Sequence, residues 1–73
     1  MALSEVCSEI AGTIWKIKFK VGDQVKADDV IMIIESMKME IPVEAPAAGT
    51  VVEVLVDEEQ TVDEDQPLAV IET

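Results

Sequence analysis

Histidine, arginine and tyrosine are missing from this 73-residue chain, and cysteine, tryptophan and phenylalanine occur once each. With Cys7 alone no internal disulfide can form, and without histidine the usual Cys/His zinc site is excluded, so no metal is expected. The basic residues are only Lys16, Lys18, Lys20, Lys26 and Lys38, set against 16 acidic ones for a formal net charge of -11. Nucleic acid must be met by basic side chains that displace counterions, and so acidic a surface excludes it as a partner. Long apolar runs are missing too: none approaches the ~20 residues of a membrane span, and residues 1–10 do not read as a charged leader followed by an apolar core. A soluble, monomeric, cytoplasmic protein with no membrane partner is expected. Its length allows a single domain over residues 1–73 with one small core, and a substrate pocket of ~300 Å³ would remove the packing that holds it together. No nucleophile-base pair, phosphate loop or metal cluster is found, so no catalytic residue is assigned and no enzyme is expected.

What is present are short runs of Val, Ile and other apolar residues with polar breaks: 13–20, 30–34, 39–44, 50–56 and 68–71. These are strand patterns. Gly22-Asp23, Ala27-Asp28-Asp29, the stretch 57–60 and 64–67 separate them as turns, and no i, i+3, i+4, i+7 stripe is long enough for a helix. The chain reads as all β.

Residues 11–36 lie over residues 48–73 at a constant offset of 37 without a gap. Ala11/Ala48, Gly12/Gly49, Thr13/Thr50, Val25/Val62, Asp28/Asp65, Ile34/Ile71 and Glu35/Glu72 are identical, and agreement that includes turn positions marks a duplication. Two such halves each carry an apolar face that neither can bury alone. Packed face to face about a pseudo-twofold axis they would make a small sandwich or flattened barrel. The expected core is Ile14, Ile17, Phe19, Val25, Ile31 and Ile33 from one half and Val51, Val54, Val56, Val62, Leu68 and Val70 from the other. Ile14 and Ile17 can share a side only across a bulge or twist, which leaves Trp15 the uncertain member.

Between the copies runs Ile33-Ile34-Glu35-Ser36-Met37-Lys38-Met39-Glu40-Ile41. If Ser36 faces Met39 across a two-residue turn, Met37-Lys38 forms the tip and Glu35 opposes Glu40. Such tight hairpins want Asn-Gly or Gly-containing pairs, because the central residues need φ > 0. Breaking that rule points to a functional position.

The sequence Glu-Ser-Met-Lys-Met-Glu resembles the attachment motif of biotinyl carrier domains, in which the lysine between two methionines is the acceptor. The resemblance covers nearly the whole chain: Gly-Thr-Ile at 12–14, Val-Gly-Asp-Gln-Val at 21–25, the tip itself, the second Gly-Thr-Val at 49–51, and 35 residues between Lys38 and the C-terminus. Ser36 departs from the common Ala or Val, Cys7-Ser8-Glu9-Ile10 from Ala-Pro-Met-Pro, and Glu59-Gln60 fills the turn equivalent to Gly22-Asp23. The biotin/lipoyl attachment family implies a barrel-sandwich hybrid of two four-stranded antiparallel sheets with internal pseudo-twofold symmetry and the acceptor lysine on a β-hairpin turn.

The resemblance also implies the chemistry. Lysine's ammonium is a poor nucleophile unaided, so a biotin protein ligase would activate biotin as an acyl-adenylate for attack by the deprotonated amine of Lys38. Biotin carboxylase and carboxyltransferase subunits would then load and discharge the arm, which works through effective concentration. Met37 and Met39 are placed to lie beside an apolar cofactor, and Glu35 to contact the ligase. Lipoate, attached to the same lysine by a lipoate ligase, is the alternative cofactor, although flanking methionines favour biotin. A structural docking module of the same fold, unmodified, is the alternative outside the carrier class. The acidic cluster of Asp57, Glu58, Glu59, Asp63, Glu64 and Asp65 reads as a solvated face.

Overall fold

A computed structural model describes residues 2–73. Eight strands follow in order: β1 (Leu3–Cys7), β2 (Gly12–Ile17), β3 (Gln24–Val25), β4 (Val30–Ser36), β5 (Met39–Glu44), β6 (Gly49–Val54), β7 (Thr61–Val62) and β8 (Pro67–Glu72). They form two four-stranded antiparallel sheets, β1-β8-β6-β3 and β5-β4-β2-β7. The all-β reading therefore holds. Strand β5 falls where the sequence puts it, whereas β1, β3 and β7 carry too few alternating residues to be read from the pattern.

The halves do not stack as two layers. Each sheet draws two strands from residues 2–36 and two from residues 39–73: β1 pairs with β8, β3 with β6, β5 with β4 and β7 with β2. A half on its own would expose the unpaired edges of β4 and β2, so exchanging strands satisfies backbone groups that face-to-face stacking would leave open.

Hydrogen bonds recur at the offset of 37 throughout. Gly22 N–H donates to Val51 O at 2.8 Å and Val51 N–H to Asp23 O at 2.9 Å, matched by Glu59 N–H to Ile14 O at 2.6 Å and Ile14 N–H to Gln60 O at 2.8 Å. Asp28 N–H donates to Ala45 O, matched by Asp65 N–H to Ser8 O. Lys18 N–H to Ile31 O is matched by Leu55 N–H to Leu68 O. Even the outer pairing repeats: Ala2 and Thr73 exchange backbone hydrogen bonds, as the paired Ser36 and Met39 sit at the equivalent positions. The glycines shared by both copies have a steric reason. A Cβ on Gly12 would strike Glu35 O and Ile34, and one on Gly49 would strike Glu72 O and Ile71.

Bulges decide which residues reach the core. In β2 the register passes from Ile14↔Ile34 to Lys16↔Ile33, leaving Trp15 as the extra residue, and in β6 Val52 is extra in the same way. Ile14 is fully buried and Ile17 packs against the core, as a bulge allows, while Trp15 turns outward at 48% exposure. In β4 the extra residue is Ile31, between Val30↔Glu44 and Met32↔Val43. Both Ile31 and Met32 consequently point inward, and the alternation after them puts Ile34 inside and Ile33 on the outer face.

The expected core needs corresponding correction. Ile14, Val25, Ile31, Val51, Val56, Val62 and Leu68 belong to it, and Val70 is buried but outside the main apolar cluster. Ile17, Phe19 and Val54 only pack against it, and Ile33 is half-buried. The expected core, drawn from equivalent positions of the two halves, omitted Ile34, Ile71, Met32, Ala69, Val6, Val43 and Ala45. The matched pair Met32 and Ala69 shows that equivalent positions need not be equal in size, provided the sum fills the interior. Ser8, equivalent to Ala45, is a buried polar side chain, and its hydroxyl is satisfied by donating to Ile10 O and accepting from Ile10 N–H.

Candidate functional site

Strands β4 and β5 pair over their whole length, with Ile34 opposite Ile41, Glu35 opposite Glu40 and Ser36 opposite Met39. Inward residues such as Ile34 and Val43 anchor the hairpin to the core, leaving Met37-Lys38 as the two-residue turn. Both turn residues have positive φ, 53° for Met37 and 66° for Lys38, the pattern a type I′ connection demands. For side chains other than glycine that conformation costs about 1–2 kcal/mol per residue, offset here by the long pairing beneath it.

Three side chains reach solvent at the tip. Lys38 is exposed, Met37 is 90% exposed and Met39 61%. By contrast Met32, in the same hairpin, is 1% exposed, so methionine here is not outward by composition. Two polarizable thioethers flank one primary amine at the exposed tip. Below them Glu35 and Glu40 are both exposed and directly opposed on the outer face, an arrangement that is unfavourable for like charges.

Ser36 has a role that the sequence did not reveal. Its hydroxyl donates to Ala11 O at 3.0 Å, tying the base of the tip to the loop before β2. The spacing of 25 residues between the partners left no local pattern to read. The acidic stretch is exposed at Asp57, Glu58, Glu59, Asp63, Glu64 and Asp65, as expected of a solvated face. Glu58 nevertheless accepts a hydrogen bond from Ile17 N–H at 3.0 Å, on a strand whose β7 partner reaches only Gly12 and Thr13. Glu59, whose turn sequence departs from Gly22-Asp23, keeps the same left-handed conformation, φ 72° against 97° for Gly22. Among the described residues no cluster of three potential metal ligands occurs, and no helix is long and apolar enough to cross a membrane.

The structure resembles the corresponding part of the Kluyveromyces lactis urea carboxylase, with a TM-score of 0.91 and 37% identity over 97% of this chain and 6% of that one. In sequence it is 47% identical over 49 residues to a biotin/lipoyl attachment protein of Bacillus subtilis, covering 67% of each chain. It is 45% identical over 53 residues to the chloroplastic biotin carboxyl carrier protein of acetyl-CoA carboxylase from Glycine max, covering 73% of this chain and 20% of that protein. The chain thus spans only a small part of the two larger proteins. A biotin/lipoyl family model, described as biotin-requiring enzyme, matches residues 1–71, and with so nearly complete a match the chain belongs to the biotin/lipoyl attachment family.

Proposed function

We propose that residues 1–73 form a single carrier domain that is biotinylated on Lys38 and ferries carboxyl groups between the active sites of a carboxylase. The observation that carries this reading is the tip itself: one exposed amine on a turn held in a costly conformation, collared by two exposed methionines. Attachment needs an accessible primary amine on a projecting rigid base, and the residues present fit that requirement. Biotin, once bound, supplies the ring that carries the carboxyl group. The chain's own residues do the rest: Lys38 forms the amide, Ser36 steadies the turn, and Met37 and Met39 offer surfaces against which an apolar arm or a partner can settle. Glu35 is placed to meet the biotin protein ligase. Biotin carboxylase and carboxyltransferase subunits are the onward partners. The domain is a carrier and not an enzyme, and tethering rather than chemistry of its own raises the rate.

We further read the two halves as related by a pseudo-twofold axis that closes the sheets into a barrel-sandwich hybrid, a reading supported by the hydrogen bonds that recur at the offset of 37. Intact-mass analysis of protein recovered from cells, with peptide mapping, tests the function: a single biotinyl adduct on Lys38 is expected. A lipoyl adduct there would move the domain to 2-oxo acid chemistry, and an unmodified lysine would leave only a docking module.

A further inference from the structure

The duplicated frame contains its own control, a second copy of the same backbone carrying different side chains. Trp15 and Val52 are equivalent, each the extra residue of a bulge. Glu58 and Glu59 stand where the first half has Val21 and Gly22, and the two turns close alike: Lys20 N–H donates to Asp23 Oδ2 at 3.0 Å, Asp57 N–H to Gln60 Oε1 at 3.0 Å. Valine suffices at the bulge and Val-Gly at the turn of the first half, so this backbone can form without the indole or the two carboxylates, although Glu58 also accepts from Ile17 N–H where it stands.

These differences converge in space. Trp15, Glu58 and Glu59 line one open cavity of about 370 Å³, with Thr13 and Glu35 on the same wall. The indole, 48% exposed, is the aromatic floor of a site rimmed by carboxylates, while Lys16, next along β2, is not part of the lining. The site lies in the sheet that bears the tip. Trp15 sits beside the Ile14↔Ile34 pair, and Ile34 is three strand positions, about 10 Å, from Met37.

We propose that the Trp15 face is the docking surface for an arginine-bearing patch on the enzyme that acylates Lys38, an inference that rests on the carrier reading above. A guanidinium stacks flat on an indole and directs its N–H fork at carboxylates, and it is less strongly hydrated than an ammonium. That chemistry matches an aromatic floor with an acidic rim. The acylating enzyme is the occupant because an unmodified lysine extends only a four-carbon stem. Whatever brings an active site to that amine must press on the tip and the adjoining sheet, whereas enzymes that act on the loaded arm can stand off.

The test uses the whole chain with a biotin protein ligase, biotin and ATP. Trp15→Val, and separately Glu58→Val with Glu59→Gly, install the residues that the other half carries, so both variants are expected to keep the wild-type circular dichroism; because the second also loses the hydrogen bond from Ile17 N–H to Glu58 and gains a glycine at the turn, loading is compared well below the melting transition of each. Each should raise KM for the carrier about tenfold with kcat unchanged. Trp15 is the single tryptophan, so 5-fluorotryptophan reports on it alone; its fluorine resonance should shift when ligase is added, and less so as salt rises. Normal loading with unchanged KM in both variants and an unmoved resonance would overturn the docking surface while leaving the carrier reading intact. Failure of the wild-type chain to accept biotin at Lys38 would overturn both.

Discussion

The two halves of this protein carry different side chains on turns whose backbones match. Residues 20–23 and 57–60 close with the same hydrogen bonds and the same left-handed third residue, yet one turn has glycine there and the other glutamate. Asp28 and Asp65 are matched in the same way, with φ of 71° and 66°. Side chain and backbone are therefore set by separate causes: the interlocked sheets impose the path, and residues on the outer surface are free to serve something else. The hairpin tip extends the contrast. Ser36 and Met39 are joined by Met37-Lys38, the two residues that lie between the matched stretches 2–36 and 39–73, while the equivalent Ala2 and Thr73 exchange backbone hydrogen bonds directly.

Substituting Lys38 is the harshest way to break the comparison. Lys38→Arg keeps the charge and should keep the fold, but it removes the acylable amine, and intact mass should show complete loss of the adduct. Persistent loading of that variant would move the acceptor to one of the four lysines inside the duplicated halves. Next in size are the matched isoleucines Ile34 and Ile71, 1% and 0% exposed. Alanine at either should cost about 2–5 kcal/mol in urea unfolding, and the two values should agree within about 1 kcal/mol. A large disparity would mean that the halves share hydrogen bonds but not packing.

Glycine offers a sharper pairing. Gly12→Ala and Gly49→Ala each drive a methyl toward a carbonyl oxygen and an isoleucine of the paired strand, and each should lose about 1–3 kcal/mol. The smallest expected effect has the opposite sign. Glu59→Gly gives the second turn the residue of the first, relieving left-handed strain against the greater entropy of the unfolded chain, for a net gain of about 0.5 kcal/mol. A loss on thermal melting would show that the Glu59 side chain contributes to the frame.

Much of this was legible before any coordinates. The offset of 37, the tip sequence and the need for a bulge near Trp15 can all be read from residue order, and each concerns local pattern or identity. The core was less legible. Alternation predicts Ile33 inside, and a single extra residue at Ile31 turns Ile34 inward instead, because strand periodicity is two and one insertion reverses every later side chain. The short strands β3 and β7 were invisible for a related reason. Two residues cannot display a period, and both are strands only because a distant partner supplies their hydrogen bonds.

By itself the sequence determined that the chain is β, internally repeated, without histidine and poor in nucleic-acid-binding charge, and it singled out Lys38 as the candidate acceptor. Those properties follow from composition and from the spacing of neighbouring residues. Tertiary structure alone decided that the halves exchange strands and that Ser36 ties down the tip. It also brought Trp15, Glu58 and Glu59 to one cavity, because pairing partners far apart in the chain are chosen by edge satisfaction and close packing, which no local window contains.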